Sequence, residues 1–467
     1  MSLSFPPDKT NKSLGLKILA RDSIYNFIRQ GVSIVLGIAI SILLARGLGK
    51  AERGVFTISI VLSELLLILF NFGVSSASVY FISRGEYSAR HVFQQNMALL
   101  FWISLLTISS GVLVIVLAGS WLFPNISTKL LLISLSIIPI NLWNRSFGAI
   151  FQGLQDFRKF NLPSIISQLV YIILIMILVW GAQLKAFGAL FAYLGAAIAS
   201  LSVFTGLFYR LEHSLPTFHL LPEKAYIARV VGYGFRAHIS NLLSYLSYRL
   251  DNFILNTFSG TGEVGIYAVA VGLGERMWLP AEAISTALFP RIASLGGAED
   301  KQKRITPLAA RFILAVSFPL VVGFGAVSFW LVPFLYGKDF TGSVIPLLSL
   351  LPGILIYNLG KVLANDLAGR GRVDINMVIT GIGTGINLIA NLLLIPRLGA
   401  LGAALSSTLS YSLVTLLFVT RYVSLTQIRW VDLFLLQKSD IKLVKRAIID
   451  LIHGVQTSQS THTTAGK

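Results

Sequence analysis

Apolar runs of about 20 residues or more recur from one end of this sequence to the other. A helix of about 20 apolar residues crosses the roughly 30 Å hydrocarbon core of a bilayer. Hydrophobic residues make up 55% and charged residues only 12% of the 467 positions, which leaves too little polar surface for a soluble fold. The sequence therefore predicts an all-α polytopic membrane protein.

Twelve such runs, separated by glycine, proline and charged residues, are predicted to be transmembrane helices. The first run is too long for a signal-peptide core and has no small-residue cleavage site at its end, so we expect it to be retained. The predicted spans, numbered 1 to 12 in chain order, are 24–45, 55–82, 95–118, 130–152, 163–181, 187–209, 233–258, 265–290, 307–333, 343–367, 375–396 and 399–421.

The basic residues predict the orientation. Of the 38 Lys and Arg side chains, 24 lie in connections or at their edges on the side of the termini and 7 on the other side. Connections rich in Lys and Arg stay in the cytoplasm, so both termini are predicted to be cytoplasmic. The net charge of +18 is then explained by topology and by contact with membrane lipids, and no nucleic-acid partner is predicted.

The two halves of the sequence repeat. Gly49–Leu66 aligns without a gap with Gly260–Met277 at a shift of 211 residues, which pairs Glu64 with Glu275. Two further matches occur, one at a shift of 214 that pairs Ala186 with Ala400 and one at a shift of 216. Because each half holds an even number of spans, both copies enter the membrane in the same sense, which predicts about twelve transmembrane helices in two parallel six-helix lobes.

The repeat and the polar stretches divide the chain into five predicted regions. The tail contains a candidate interfacial amphipathic helix beginning at Ser439, although the same pattern also fits a soluble tail. The regions are a cytoplasmic N-terminal segment (1–23), an N-terminal lobe (24–210), a cytoplasmic linker (211–232), a C-terminal lobe (233–423) and a cytoplasmic tail (424–467).

Cations inside the spans are the first candidates for substrate binding. Arg145 and Lys361 match at the shift of 216, and both lie about two turns above the cytoplasmic ends of their spans. Paired cations suit a bulky anion such as a diphosphate, because each offers several donors and no acceptor. Arg29 and Arg236 could extend a basic funnel at the cytoplasmic side, or their long side chains could simply reach the membrane surface.

Acidic residues inside the spans form a second group. Glu64, Glu275 and Asp251 are candidates either for ion coupling or for stabilising the lobes through neighbouring cations. Arg249 lies two positions before Asp251, so the two do not share a helix face, and Arg249 is a further candidate to face a cavity. No nucleotide-binding loop or hydrolase motif occurs, and we predict no catalytic residue, metal or cofactor.

Two stretches of the sequence resemble a known family. Leu44–Arg84 and Arg249–Leu295 are similar to the span 1–2 and span 7–8 signatures of polysaccharide-transport flippases, including the Asp before the external turn. This branch belongs to a superfamily that also contains multidrug and toxin extruders. The resemblance implies two six-helix lobes in a V, alternating access and a lipid-linked oligosaccharide as cargo. The resemblance implies cations in the cavity, for which Arg29, Arg145, Arg249 and Lys361 are candidates by residue type. It does not match them one by one to the family's cations.

The expected function is therefore that of a flippase in a bacterial inner membrane. The cargo would be a polyprenyl-diphosphate-linked oligosaccharide for O-antigen or exopolysaccharide synthesis, with a polysaccharide polymerase as a candidate partner. One alternative is an ion-coupled multidrug or organic-cation antiporter of the same fold, but cations outnumber carboxylates inside the spans. The other is a membrane-embedded glycan polymerase or ligase, which the short outer connections disfavour.

Overall fold

The computed structural model describes the backbone of residues 9–213, 220–294, 299–435, 437 and 440. It also describes their side chains, apart from those of 9–30, 236–237, 286–287, 289–291, 293–294 and 299–304. Apart from Asp440, the predicted tail helix beginning at Ser439 lies outside these residues, as does most of the tail. Part of the predicted linker lies outside them too.

Within these ranges the regular structure is helical. A π-helical turn (Met176–Gly181) extends the sixth helix, and 3-10 turns cover Glu275–Trp278 and Lys338–Ser343. The α-helices are α1 (Lys9–Phe70), α2 (Val74–Ser83), α3 (Ala89–Leu122), α4 (Thr128–Leu135), α5 (Ile137–Gly153), α6 (Phe157–Ile175), α7 (Lys185–Glu212), α8 (Lys224–Ser259), α9 (Thr261–Gly274), α10 (Leu279–Ser294), α11 (Glu299–Tyr336), α12 (Val344–Gly369), α13 (Val373–Leu398), α14 (Ala400–Thr426) and α15 (Val431–Phe434).

The predicted all-α membrane class is confirmed. Among the described residues, nine helical segments are long and apolar enough to cross a membrane. The first of them, Gly31–Phe70, contains most of predicted span 1 and the first part of span 2, which continues in α2. The other eight correspond to spans 3–6 and 9–12. Span 7 corresponds to α8, which carries Arg249 and Asp251, and span 8 corresponds to α9 and α10, which the turn at Glu275–Trp278 separates.

The helices pack into two compact units. Unit 1 contains the chain up to Gly272 together with Phe329–Pro346 and Leu388–Ser406. Unit 2 contains Leu273–Ser328, Leu347–Asn387 and the chain from Ser407 onward. The boundaries fall inside helices, so the units differ from the predicted division at 24–210 and 233–423, which stays a prediction.

Repeat-related residues make the same contact twice in unit 1. The backbone N–H of Ala186, at the start of α7, donates to Glu52 Oε2 at 3.2 Å. The backbone N–H of Ala400, at the start of α14, donates to Glu263 Oε2 at 2.9 Å. Each carboxylate thus caps the first turn of a helix and complements its dipole. The shared contact agrees with the duplication predicted from the sequence.

The helices that follow the two repeat turns meet in close contact. Gly49 has φ 69° and Gly260 has φ 83°, a left-handed backbone that glycine adopts without strain. A Cβ added to Gly54 would lie 1.7 Å from the Thr261 carbonyl oxygen, and one added to Gly265 would lie 1.9 Å from the Lys50 carbonyl oxygen. Both glycines are therefore needed for this helix crossing, since only small residues let two backbones approach so closely.

Candidate functional site

A cavity of about 890 Å³ lies within unit 1, surrounded by Asn71, which follows α1, and by α2, α5, α6, α7 and α8. Its wall consists mainly of side chains that carry amides or hydroxyls, together with small and aromatic residues. The amides are Asn71, Asn141, Asn144, Gln152, Asn161, Gln168 and Asn241, and the hydroxyls are Ser75, Ser76, Ser164, Ser167, Tyr171, Tyr193 and Ser200. Arg145 is the one charged side chain among the described residues that line it.

The polar lining follows from helical periodicity. Along α6 the lining residues recur at three- and four-residue spacing, from Asn161 through Ser164 and Gln168 to Tyr171. Positions at these spacings share one face of a helix, and α5 and α7 each contribute a similar stripe. Polar side chains at membrane depth are expensive unless they find partners. A wall of this kind inside membrane-spanning helices is therefore a candidate binding site.

A break in the helix of predicted span 2 forms part of the cavity wall. The chain leaves helical geometry at residues 71–73, where Phe72 has φ 47° and Gly73 has φ 77°. A Cβ at Gly73 would lie 2.5 Å from the Gly234 carbonyl oxygen of α8, so the backbones touch here as well. The break places Asn71 on the cavity wall. We did not predict it, because a single Gly within an apolar run is common in membrane helices.

Arg145 forms an ion pair with Glu64. Its Nη2 donates to Glu64 Oε2 at 2.5 Å, and Asn141 Nδ2 donates to Glu64 Oε1 at 3.2 Å. Asn141 Nδ2 also lies 3.2 Å from the Tyr193 hydroxyl. The side chain of Arg145 is 39% exposed and that of Glu64 18%. The structure thus joins a residue predicted to bind substrate to one predicted to couple ions or stabilise a lobe.

Two polar atoms of the wall have no hydrogen-bond partner within the protein. Asn144 donates from Nδ2 to the Ala197 carbonyl oxygen at 2.9 Å, whereas its buried Oδ1 accepts no hydrogen bond. The buried hydroxyl of Tyr171 is also unpartnered. Buried polar atoms without a partner are uncommon in folded proteins. Both atoms are shielded from the cavity in this conformation, so a ligand would reach them only after the side chains turn.

Asp251 and Arg249, two further candidates in unit 1, do not line this cavity. Asp251 is 1% exposed and accepts hydrogen bonds from the Tyr267 hydroxyl at 2.5 Å and from Asn252 Nδ2 at 2.8 Å. Arg249 Nη1 lies 3.4 Å from the Tyr248 carbonyl oxygen, and Arg249 is not among the residues that line the cavity. Arg29 and Arg236 lie outside the described side chains.

Lys361 lies in unit 2 and also has an acidic partner. Its Nζ donates to Glu282 Oε1 at 2.9 Å and lies 4.2 Å from the centre of the Trp278 ring. The Trp278 ring also packs near Tyr357 and Tyr411. Glu275, the repeat mate of Glu64, begins the 3-10 turn that precedes α10. The repeat-related cations Arg145 and Lys361 are therefore each paired with a carboxylate inside their own unit.

Arg311, another intramembrane cation, binds the tail. Its Nε and Nη2 donate to the carboxylate of Asp440 at 2.7 and 2.9 Å, and both side chains are almost fully buried. These hydrogen bonds hold the pKa of Asp440 below its usual value of 3.8. Such a pair holds this part of the tail on unit 2.

We predict that Asp440→Asn lowers the free energy of unfolding by about 2 kcal/mol, less than the 3–5 kcal/mol typical of breaking a deeply buried pair. Because the folded pKa is depressed, the pair's contribution is present above the unfolded pKa and is lost as the pH falls through the folded pKa. Thermal unfolding of purified protein between pH 7 and pH 3 checks both effects. An unchanged melting temperature in Asp440→Asn would contradict the role of the pair.

Comparison with known proteins identifies relatives. The profile of the polysaccharide biosynthesis protein family matches residues 19–295, and the MatE profile matches residues 237–393. The lipopolysaccharide biosynthesis protein WzxC of Escherichia coli K12 is 25% identical over 83% of this chain and 76% of its own length. A putative O-antigen transporter of Shigella flexneri is 22% identical over 88% of this chain and 99% of its own.

Solved structures show the same fold. The lipid II flippase MurJ in an inward closed conformation superimposes with a TM-score of 0.71 at 17% identity, covering 88% of this chain and 89% of that one. Proteins of this kind have two lobes of six helices, as predicted from the repeat. The first profile covers more than half of the sequence. The chain belongs to the family of polysaccharide biosynthesis proteins.

Proposed function

We propose that this protein is a flippase that moves a polyprenyl-diphosphate-linked oligosaccharide from the cytoplasmic to the outer leaflet of a bacterial inner membrane. The observation that carries the proposal is the cavity of about 890 Å³ within membrane-spanning helices, lined by amides and hydroxyls. Such groups match the hydroxyls of sugars, which both donate and accept hydrogen bonds. The names of the WzxC and O-antigen transporter relatives support the same cargo class.

The cations are proposed to recognise the diphosphate. Arg145 keeps donors free beside its bond to Glu64 and is the candidate within the cavity. Lys361, Arg249, Arg29 and Arg236 stay proposals for further contacts along the path. Glu64, Glu275 and Asp251 are proposed to stabilise the lobes or to couple ions. Transport would proceed by alternating access with both termini cytoplasmic, and a polysaccharide polymerase would consume the product.

One observation favours a second candidate, an ion-coupled antiporter for organic cations. The MatE profile matches residues 237–393. A carrier of organic cations would favour carboxylates in its binding cavity. The described wall of unit 1 instead carries Arg145 as its charged side chain, and Glu64 is paired with it. The cavity thus fits an oligosaccharide better than a cationic drug.

Complementation tests the proposal. The full chain is expressed in a bacterium that makes the cognate lipid-linked repeat unit but lacks its own flippase gene. We expect surface polysaccharide to return and the lipid-linked precursor to fall. Persistent accumulation of the precursor, with the protein present in the membrane at normal levels, would contradict the proposal. Resistance to cationic dyes without polysaccharide export would favour the antiporter.

A further inference from the structure

The cavity in unit 1 offers many hydrogen bonds but little net charge. Fourteen of its lining residues carry an amide or a hydroxyl, and Arg145 is the charged one among the described residues there. An Arg alone would favour any anion, a carboxylate included. Its influence on a ligand therefore depends on whether a neighbour already balances the charge.

Glu64 supplies that balance. Its Oε2 lies 2.5 Å from Arg145 Nη2, so the pair is close to electrically neutral as seen from the cavity. Part of the Arg145 side chain remains accessible, because it lines the cavity and is 39% exposed. The site keeps hydrogen-bond donors without a net positive charge. A carboxylate that gave up water to enter this cavity would pay its desolvation penalty without a full counter-charge.

The unpartnered amide oxygen of the wall would discriminate in the same direction once the Asn144 side chain turns toward the cavity. Asn144 Nδ2 is occupied by the Ala197 carbonyl oxygen, so the free Oδ1 can only accept a hydrogen bond. A sugar hydroxyl or an acetamido N–H can donate to it, whereas an ionised carboxylate has no proton to give. The Tyr171 hydroxyl can bond to either group and does not discriminate. Phe160 and Phe204 add apolar surface for the C–H faces of a sugar ring.

From these contacts we infer that this chain selects an uncharged repeat unit, rich in hydroxyl and acetamido groups, over one that carries a uronic acid in the cavity. The inference rests on the proposed flippase function and specifies its cargo. Arg145 then binds the diphosphate, whose charge is large enough to compete with Glu64 for the guanidinium. The amides of the wall recognise the neutral sugars.

A matched pair of ligands tests this selectivity. Both are soluble short-chain prenyl diphosphates that carry the same trisaccharide with one N-acetylhexosamine, and in one of them a hexose C6 alcohol is oxidised to a carboxylate. Binding to the purified full-length protein is measured by calorimetry. We expect the neutral ligand to bind about tenfold more tightly, equivalent to about 1.4 kcal/mol. Equal affinities, or a preference for the acid, would overturn the inference and leave the proposed flippase function intact. Binding of neither ligand would overturn both.

Glu64→Gln provides the second measurement. It keeps the shape of the side chain but leaves the charge of Arg145 uncompensated, so the preference for the neutral ligand should shrink or reverse. The ratio of the two affinities is measured on one preparation, so a loss of folded protein does not change it. A ratio identical to that of the natural protein would mean that the pair does not set the selectivity.

Discussion

Gly54→Ala is expected to reduce glycan export about tenfold or more. The added Cβ would lie 1.7 Å from the Thr261 carbonyl oxygen, a backbone atom that cannot rotate away. Overpacking of this kind costs about 1–3 kcal/mol, and about 1.4 kcal/mol changes an equilibrium tenfold. The close contact of the two repeat-related helices would therefore be lost for most of the time. Surface polysaccharide in the complemented strain, normalised to protein in the membrane, measures the effect.

Gly262→Ala is the matched control for this prediction. Gly262 lies in the first turn of α9 between the two contact positions Thr261 and Gly265, and a Cβ there would meet nothing within 4 Å. Export should stay within about twofold of the natural protein, because a surface substitution of this kind changes stability by about 0.5 kcal/mol or less. Gly265→Ala should behave like Gly54→Ala. Normal export in both contact variants would show that the close approach is not needed.

Arg145→Gln is expected to lose both stability and export. It leaves Glu64, 18% exposed, without its cationic partner, which should lower the free energy of unfolding by about 2 kcal/mol. It also removes a charged donor for the diphosphate, and hydrogen bonds to charged groups contribute about 1.5–3 kcal/mol. Export should fall about tenfold or more. Thermal unfolding of the purified protein and export in cells are measured on the same variant.

The double variant Glu64→Gln with Arg145→Gln separates the two roles of the pair. Removing both charges leaves no uncompensated ion, so the melting temperature should return close to that of the natural protein. Export should stay low, because the cation is still missing. If the double variant exported normally, Arg145 would act in folding alone and its proposed contact with the diphosphate would be wrong.

Much of the fold follows from patterns that are local in the sequence. Apolar runs of membrane-spanning length predicted the helices, and the shift of 211 residues predicted that Gly49 and Gly260 occupy corresponding turns. Both turns have the left-handed backbone that favours glycine. The break in the helix at residues 71–73 could not be predicted from the sequence, because the contact of Gly73 with Gly234 depends on how distant helices pack.

The candidate site was harder to predict. The sequence predicted separate roles for Arg145 and Glu64, because 81 positions lie between them in the chain. Only the packing of α1 against α5 brings them together. The amides of the wall gave no local signal, since Asn and Gln in membrane helices often only join one helix to another. The cavity forms only in the folded protein, where six segments of the chain place their polar side chains around one space.

A flipping assay tests the central claim most directly. Purified protein is reconstituted into liposomes that contain a fluorescent polyprenyl-diphosphate-linked neutral oligosaccharide in both leaflets, and a membrane-impermeant quencher is added outside. We predict that fluorescence falls beyond the outer-leaflet share toward complete quenching, and that the Glu64→Gln with Arg145→Gln variant slows this second phase. Quenching that stops at the outer-leaflet share, as in liposomes without protein, would contradict the account.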